Sequence, residues 1–185
     1  MTRLLSHLHR DSAPRPARAG LLQPVAAVLT DRIDDVVVAE AAARTALARH
    51  APLLLIAVMP PNTNHHPGPA SAPVRAVLAR VMPKVGPYAV DCVPEVFHPS
   101  TGRSSRLAAA KELLVLAGRH RAADVVAARH GPRGLDAHTL IEAAALRGGP
   151  RVHAIAPAAW VPLRSARTGA PGEGLPHGRK GDVPR

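Results

Sequence analysis

Pro52-Leu53-Leu54-Leu55-Ile56-Ala57-Val58-Met59-Pro60-Pro61 decides how the rest of the chain is read. The run from Leu53 to Met59 has no polar position and stops hard at two prolines. Its length and its stop favour a strand over a helix, and the absence of alternation means that both faces are buried. A strand covered on both sides belongs in a parallel sheet between layers of helix.

The neighbouring segments fit this strand. Upstream, Val25 to Leu29 is a short apolar run ending in Thr30-Asp31, a turn and helix-start signal. Ile33 to His50 then carries apolar residues at 36, 39, 43 and 47, the spacing of an amphipathic helix. Downstream, a loop from Pro60 to Pro73 leads to a helix over Val74 to Val81. Tyr88 to Phe97 reads as a third strand that Pro94 confines to a sheet edge or a bulge. A helix from Arg103 to Arg121 places Leu107, Ala110, Leu114 and Ala117 on one face. Asp124 to Ala128 is a fourth strand, Leu135 to Arg147 a helix stopped by Gly148-Gly149, and Val152 to Ile155 a fifth strand.

The order β-α-β-α-β-α-β-α-β, with right-handed crossovers, predicts an α/β fold: a five-stranded parallel sheet flanked by helices on both faces, Rossmann-like in architecture. In such sheets ligands bind beyond the carboxyl ends of the strands, where strand order reverses. That directs attention to Thr30-Asp31 and to Arg129 through Gly134.

Composition sets the outer bounds. The chain has 185 residues and is 46% apolar but only 2% aromatic, so its core is built from Ala, Val and Leu. Three segments are expected: a flexible basic leader over 1–23, an α/β domain over 24–162 and a disordered basic tail over 163–185. Met1 to Arg10 holds no uninterrupted apolar stretch, and no run approaches a membrane span; the cytoplasm is the expected location. Cys92 is the single cysteine, which excludes an internal disulfide and a cysteine cage, and its apolar setting favours a small core residue.

The net charge is +11, almost all of it arginine. Residues 25–162 carry 15 basic against 10 acidic groups, so the tails hold the disproportionate share. Such a field favours polyanions, and a nucleic-acid or polyanion binder is the alternative reading of function. No G-x-S-x-G elbow, lysine-bearing P-loop or H-E-x-x-H spacing is present. The balance is against an enzyme, and no metal is expected.

Three stretches carry a family resemblance. Val25 to Ala51 gives a strand, an acidic turn and an Ala-rich helix leading to Pro52-Leu53. Leu107 to Val126 gives Leu-Ala-Ala-Ala-Lys-Glu before Ala122-Ala123-Asp124-Val125-Val126. Thr139 to Pro157 gives a last helix and a strand ending in Ala-Pro. In this order they resemble the universal stress protein (UspA-like) family over about residues 24–157.

The resemblance implies an adenine nucleotide alpha hydrolase-like fold, a stress-response role, ATP as the ligand and a homodimer formed through the fifth strand. Members that bind ATP carry G-x-x-G, nine residues, then G-S or G-T. Gly131-Pro132-Arg133-Gly134 supplies the first half, but nine residues further lie Ala144-Ala145. Anchored instead on Asp124 and Glu142, the pattern puts Arg129 at the first glycine and makes Thr139 the hydroxyl residue, after His138. Neither register completes the motif, so nucleotide binding is expected to be weakened. The site implied is Thr30, Asp31, Val58, Arg129, Gly131, Arg133, Gly134 and Thr139. Each has a plainer reading. Asp31 and Thr139 suit helix N-caps, the latter with Glu142 completing a capping box, and the cap is favoured for both. The two glycines suffice for a turn, and Arg129 and Arg133 for a solvated surface.

Overall fold

A computed structural model describes residues 23–61, 68–100 and 105–156. Five strands, β1 (Val25–Leu29), β2 (Leu53–Val58), β3 (Cys92–Phe97), β4 (Asp124–Ala128) and β5 (Arg151–Ile155), alternate with four helices. The helices are α1 (Asp35–Ala48), α2 (Ala72–Val85), α3 (Ala108–Arg119) and α4 (Ala137–Ala145). All strand pairings are parallel, in the order β3-β2-β1-β4-β5. The order reverses between β1 and β4, as a right-handed doubly wound sheet requires.

Burial follows position. Every residue of β1 and β4 is buried, and so is β2 up to Val58. The edge strands β3 and β5 are partly exposed. Alternate residues feed two cores: Val25, Ala27 and Leu29 face α1 and α2, while Ala26 and Val28 face α3 and α4. Sheet positions supply the bulk and helix positions the small residues. The buried stripe of α1 is Val38, Ala39, Ala42, Ala43 and Ala46, beside Asp35. That stripe is rotated from the face expected at 36, 39, 43 and 47: Leu47 is exposed and Val36 half-buried. Alanine allows the helix axis close to a sheet thick with Val and Leu, a gain that a larger but less central leucine does not match.

Several boundaries differ from expectation. β3 begins at Cys92, because Gly86–Tyr88 forms a 3-10 turn closed by Ala89 in the left-handed region at φ 50°. Pro94 does lie on an edge strand, as its missing N–H requires. Cys92 is only half-buried, since β3 is an edge, and burial still raises its thiol pKa. α2 runs four residues beyond Val81, through Pro83 in its last turn, with Val85 buried at its end. The stop after α4 is as expected, with Gly148 at φ 66°.

Candidate functional site

The register locates the carboxyl ends of the strands relative to one another. Leu29 is level with Ala57, and Ala27 with Val126. One step further along each strand, Val58, Thr30 and Arg129 stand in a row across β2, β1 and β4, at the point where strand order reverses. The side chains behave differently from what the row suggests.

Beyond β1 the chain makes a tight loop around one buried carboxylate. Asp35, in the first turn of α1, accepts hydrogen bonds from the amide of Thr30 at 2.9 Å and the amide of Arg32 at 3.0 Å. The hydroxyl of Thr30 approaches the same oxygen at 3.4 Å. Burial raises the Asp35 pKa against the lowering effect of these amides and of Arg80. Asp31 therefore does not cap α1, which corrects the cap reading. It takes φ 60°, faces solvent and pairs with Arg80 of α2. The loop needs its acceptor inside, and Asp35 is the carboxylate that the helix axis holds beneath those amides.

Beyond β4, Arg106, Arg129, His130, Gly131, Arg133, Gly134, Asp136, His138 and Thr139 line an open cleft of about 440 Å³. Five of the eight expected site residues thus meet in one place: Arg129, Gly131, Arg133, Gly134 and Thr139. Thr30, Asp31 and Val58 are not among its walls.

Both glycines are dictated by packing. Gly134 sits at φ 84°, and a Cβ there would lie 2.9 Å from the carbonyl oxygen of Arg106. A Cβ on Gly131 would lie 3.0 Å from the Cα of Asp136 and 3.1 Å from the carbonyl oxygen of Leu135. The loop folds back on its own exit and on the chain entering α3.

Thr139 is buried but is not the cap of α4. The cap is Asp136, in extended conformation, whose carboxylate accepts from the Thr139 amide at 3.0 Å and from its hydroxyl at 2.7 Å. Glu142, expected to complete a capping box, pairs instead with Arg106 across the helix pair. Burial acts to raise the Asp136 pKa, but the two bonds from Thr139 and the nearby His138 outweigh it and hold the carboxyl below its ordinary value. The amino end of α4, where a helix attracts anions, holds the protein's own carboxylate. Around it the cleft is basic. Among the described residues, no ion pair is found for Arg129 or Arg133, whereas Arg106 is neutralised by Glu142.

Asp136 and Arg106 join the cleft without having been expected there from the sequence. Asp136 was visible as an N-cap type three residues before Thr139. Arg106 reaches the cleft from the entry of another helix and had no local signal.

At the opposite end of β4, Asp124 is fully buried and surrounded by Arg49 from the end of α1 and by Arg151 and His153 from β5. A larger groove of about 520 Å³ runs between β3 and α3, lined by Phe97, Val115, Leu116 and charged residues that include Lys111 and Arg119. His65 and His66, and both basic tails, lie outside the described residues. Among the described residues no three His, Cys, Asp or Glu side chains converge as a metal site would need, and no helix is long and apolar enough to cross a membrane.

This fold has solved relatives. The universal stress protein from Archaeoglobus fulgidus in complex with dAMP is 14% identical, with a TM-score of 0.53 over 73% of this chain and 98% of that one. The universal stress protein UspA from Lactobacillus plantarum is 12% identical, with a TM-score of 0.53 over 74% of this chain and 99% of that one. A universal stress protein in complex with cAMP is 20% identical, with a TM-score of 0.50 over 72% and 96%. No protein-family model and no curated protein matches the chain. The described residues have the fold of these universal stress proteins, a parallel sheet in the order 3-2-1-4-5.

Proposed function

We propose that this chain is a universal-stress-protein-like regulatory domain of the stress response, not an enzyme, whose nucleotide site has lost most of its hold on ATP. One observation carries the reading: the Asp136 carboxylate occupies the amide and hydroxyl of Thr139 at the head of α4. Two solved proteins of this fold are described as complexes with dAMP and cAMP. A nucleotide placed likewise here, with its phosphates toward the loop after β4, would meet a negative charge on the donors that anions use. What attraction remains comes from the side chains of Arg129 and Arg133, with His130 and His138 at the rim. Thr30, Asp31 and Val58 complete the proposed site at the ends of β1 and β2, with Asp31 already engaged by Arg80.

Calorimetry on the full chain tests this. Titration to about 1 mM ATP yields no saturable heat under this reading, whereas a dissociation constant in the micromolar range overturns it.

A homodimer through β5 is part of the same reading, and the two sheet edges support it unequally. In a parallel ladder, alternate residues bond to the neighbouring strand. The odd residues of β3 bond to β2, as the acceptors Asp91 and Phe97 do for Leu53 and Met59. Residues 92, 94 and 96 therefore face the free edge. Pro94 has no N–H, and the Val96 amide is taken by the Glu95 side chain at 3.0 Å. On β5, Arg151 and Ile155 bond to β4, which leaves Val152 and Ala154 facing outward, with nothing similar to block them among the described residues. The open edge is the one that invites a strand.

A further inference from the structure

Three helices stop in the same way at the amino edge of the sheet, opposite the cleft after β4. At the end of α1 the amide of His50 bonds to Leu47 at 3.0 Å and that of Ala51 to Ala46 at 2.9 Å. At the end of α3 the amide of Arg121 bonds to Gly118 at 2.9 Å and that of Ala122 to Ala117 at 3.0 Å. After α4 the amide of Gly149 bonds to Ala144 at 3.1 Å. Such a stop puts one residue in the left-handed region, where glycine is the ordinary choice. After α4 that residue is Gly148, but after α1 it is His50 at φ 52° and after α3 Arg121 at φ 57°. Glycine would close both turns with less strain. The helix dipole favours a cation throughout the last turn, and α3 already has Arg119 there, so the dipole does not account for the strained position.

These turns lead into β2, β4 and β5. Leu53 and Asp124 are both level with Val25, so the first two turns flank the start of β1, about 10 Å apart along the sheet. His50, Arg121 and Arg147 are exposed. Among the described residues no ion pair is found for Arg119, Arg121 or Arg147, while Arg49 and Arg151 share the single carboxylate of Asp124. Two further carboxylates lie on the β3 side, Asp91 and Glu95, the latter facing His120. The chain enters β1 between the two strained turns, and residues 1–22 ahead of it carry Arg3, Arg10, Arg15 and Arg18 against Asp11 alone. The edge and the segment that joins it are positive together.

We propose that this amino edge docks double-stranded DNA by its phosphates, with the turns at Arg121 and Arg147 on the backbone and the arginines of residues 1–22 in the minor groove. The planar fork of arginine suits phosphate oxygens. A single strand would want rings to stack its bases on, and the ring at this edge, Tyr88, has its hydroxyl engaged by Glu40 and Arg44. The minor groove of B-DNA is about 6 Å wide and draws in arginine-bearing arms. That of an RNA duplex is wide and shallow and offers no such slot.

Fluorescence anisotropy of the full chain with a labelled DNA duplex of about 20 base pairs, from about 50 to 200 mM salt, tests this. Wild type is expected to bind, and to bind more weakly as salt rises. Arg121→Gly should weaken binding at least about fivefold and lower the salt slope by about one, while unfolding at no lower a temperature than wild type. Arg147→Glu, on an exposed turn, should weaken binding as much, so the result does not hang on one variant's fold. Arg15→Ala with Arg18→Ala should also weaken it about fivefold. Arg164→Ala with Arg167→Ala, in the segment that follows β5 at the opposite edge, should change it by less than about twofold. No binding to the duplex at 50 mM salt, full affinity in both Arg121→Gly and Arg147→Glu, or equal losses from the two terminal pairs overturns the proposal. So does tighter binding of an RNA duplex, a single strand or phosphatidylserine vesicles than of duplex DNA.

Discussion

Asp136 and Thr139 close the amino end of α4 on each other, the carboxylate of one accepting both the amide and the hydroxyl of the other. The pairing fills, from within the chain, a place that a helix terminus otherwise offers to an anion. It also stabilises the fold, and the two roles make separate predictions.

As a cap, Asp136 is expected to contribute about 1 kcal/mol, so Asp136→Ala should lower unfolding free energy by that amount at pH 7 in urea titration. Its carboxyl pKa is depressed in the folded chain. The contribution is therefore present above the ordinary carboxyl value and lost as pH falls through the lower folded value. The difference between wild type and variant should be constant from pH 5 upward and shrink below about pH 4.

Gly134→Val should destabilise the chain by about 2 kcal/mol or more, independently of any ligand. A β-branched residue at φ 84° is strained, and its Cβ meets the carbonyl of Arg106 at 2.9 Å. Thermal unfolding without nucleotide measures this. A variant as stable as wild type would mean that the glycine serves something other than the turn.

Asp124→Asn should cost about 3 kcal/mol in chemical unfolding, near the low end for a broken buried ion pair because Arg49 and Arg151 keep part of their solvent. The loss should persist at pH 8, where His153 is neutral and the arginines are not. A loss that appears only in acid would assign the effect to His153 instead.

Ile56→Ala, at the centre of β2, should lower stability by about 2–5 kcal/mol, because Ile56 is wholly buried between β1 and β3. Val93→Ala on the exposed edge should change it by less than about 1 kcal/mol. Similar losses at both sites in urea titration would contradict the layering.

The fold was legible because its signals are local and repeated. Leu53–Val58 announced a central strand by being apolar throughout, and Pro94 announced an edge by lacking a donor. The site was legible only as a region. Arg129 to Thr139 fell where strand order reverses, and they do share a cleft. The caps were misassigned by a few residues at both helices. Asp31 and Asp35 are both carboxylates near one helix start, and only the three-dimensional loop decides which one lies beneath the amides. Arg106, Arg80 and Arg49 act through partners 36, 49 and 75 residues away, and no periodicity registers such pairs.

In the proposed function the protein's own carboxylate holds the anion position of α4. The most direct measurement is the backbone amide resonance of Thr139 while ATP is titrated into wild type and into Asp136→Asn, which keeps a cap acceptor but removes the charge. The Thr139 amide is expected not to shift in wild type and to shift saturably in Asp136→Asn. A saturable shift in wild type, unchanged by the substitution, would contradict it.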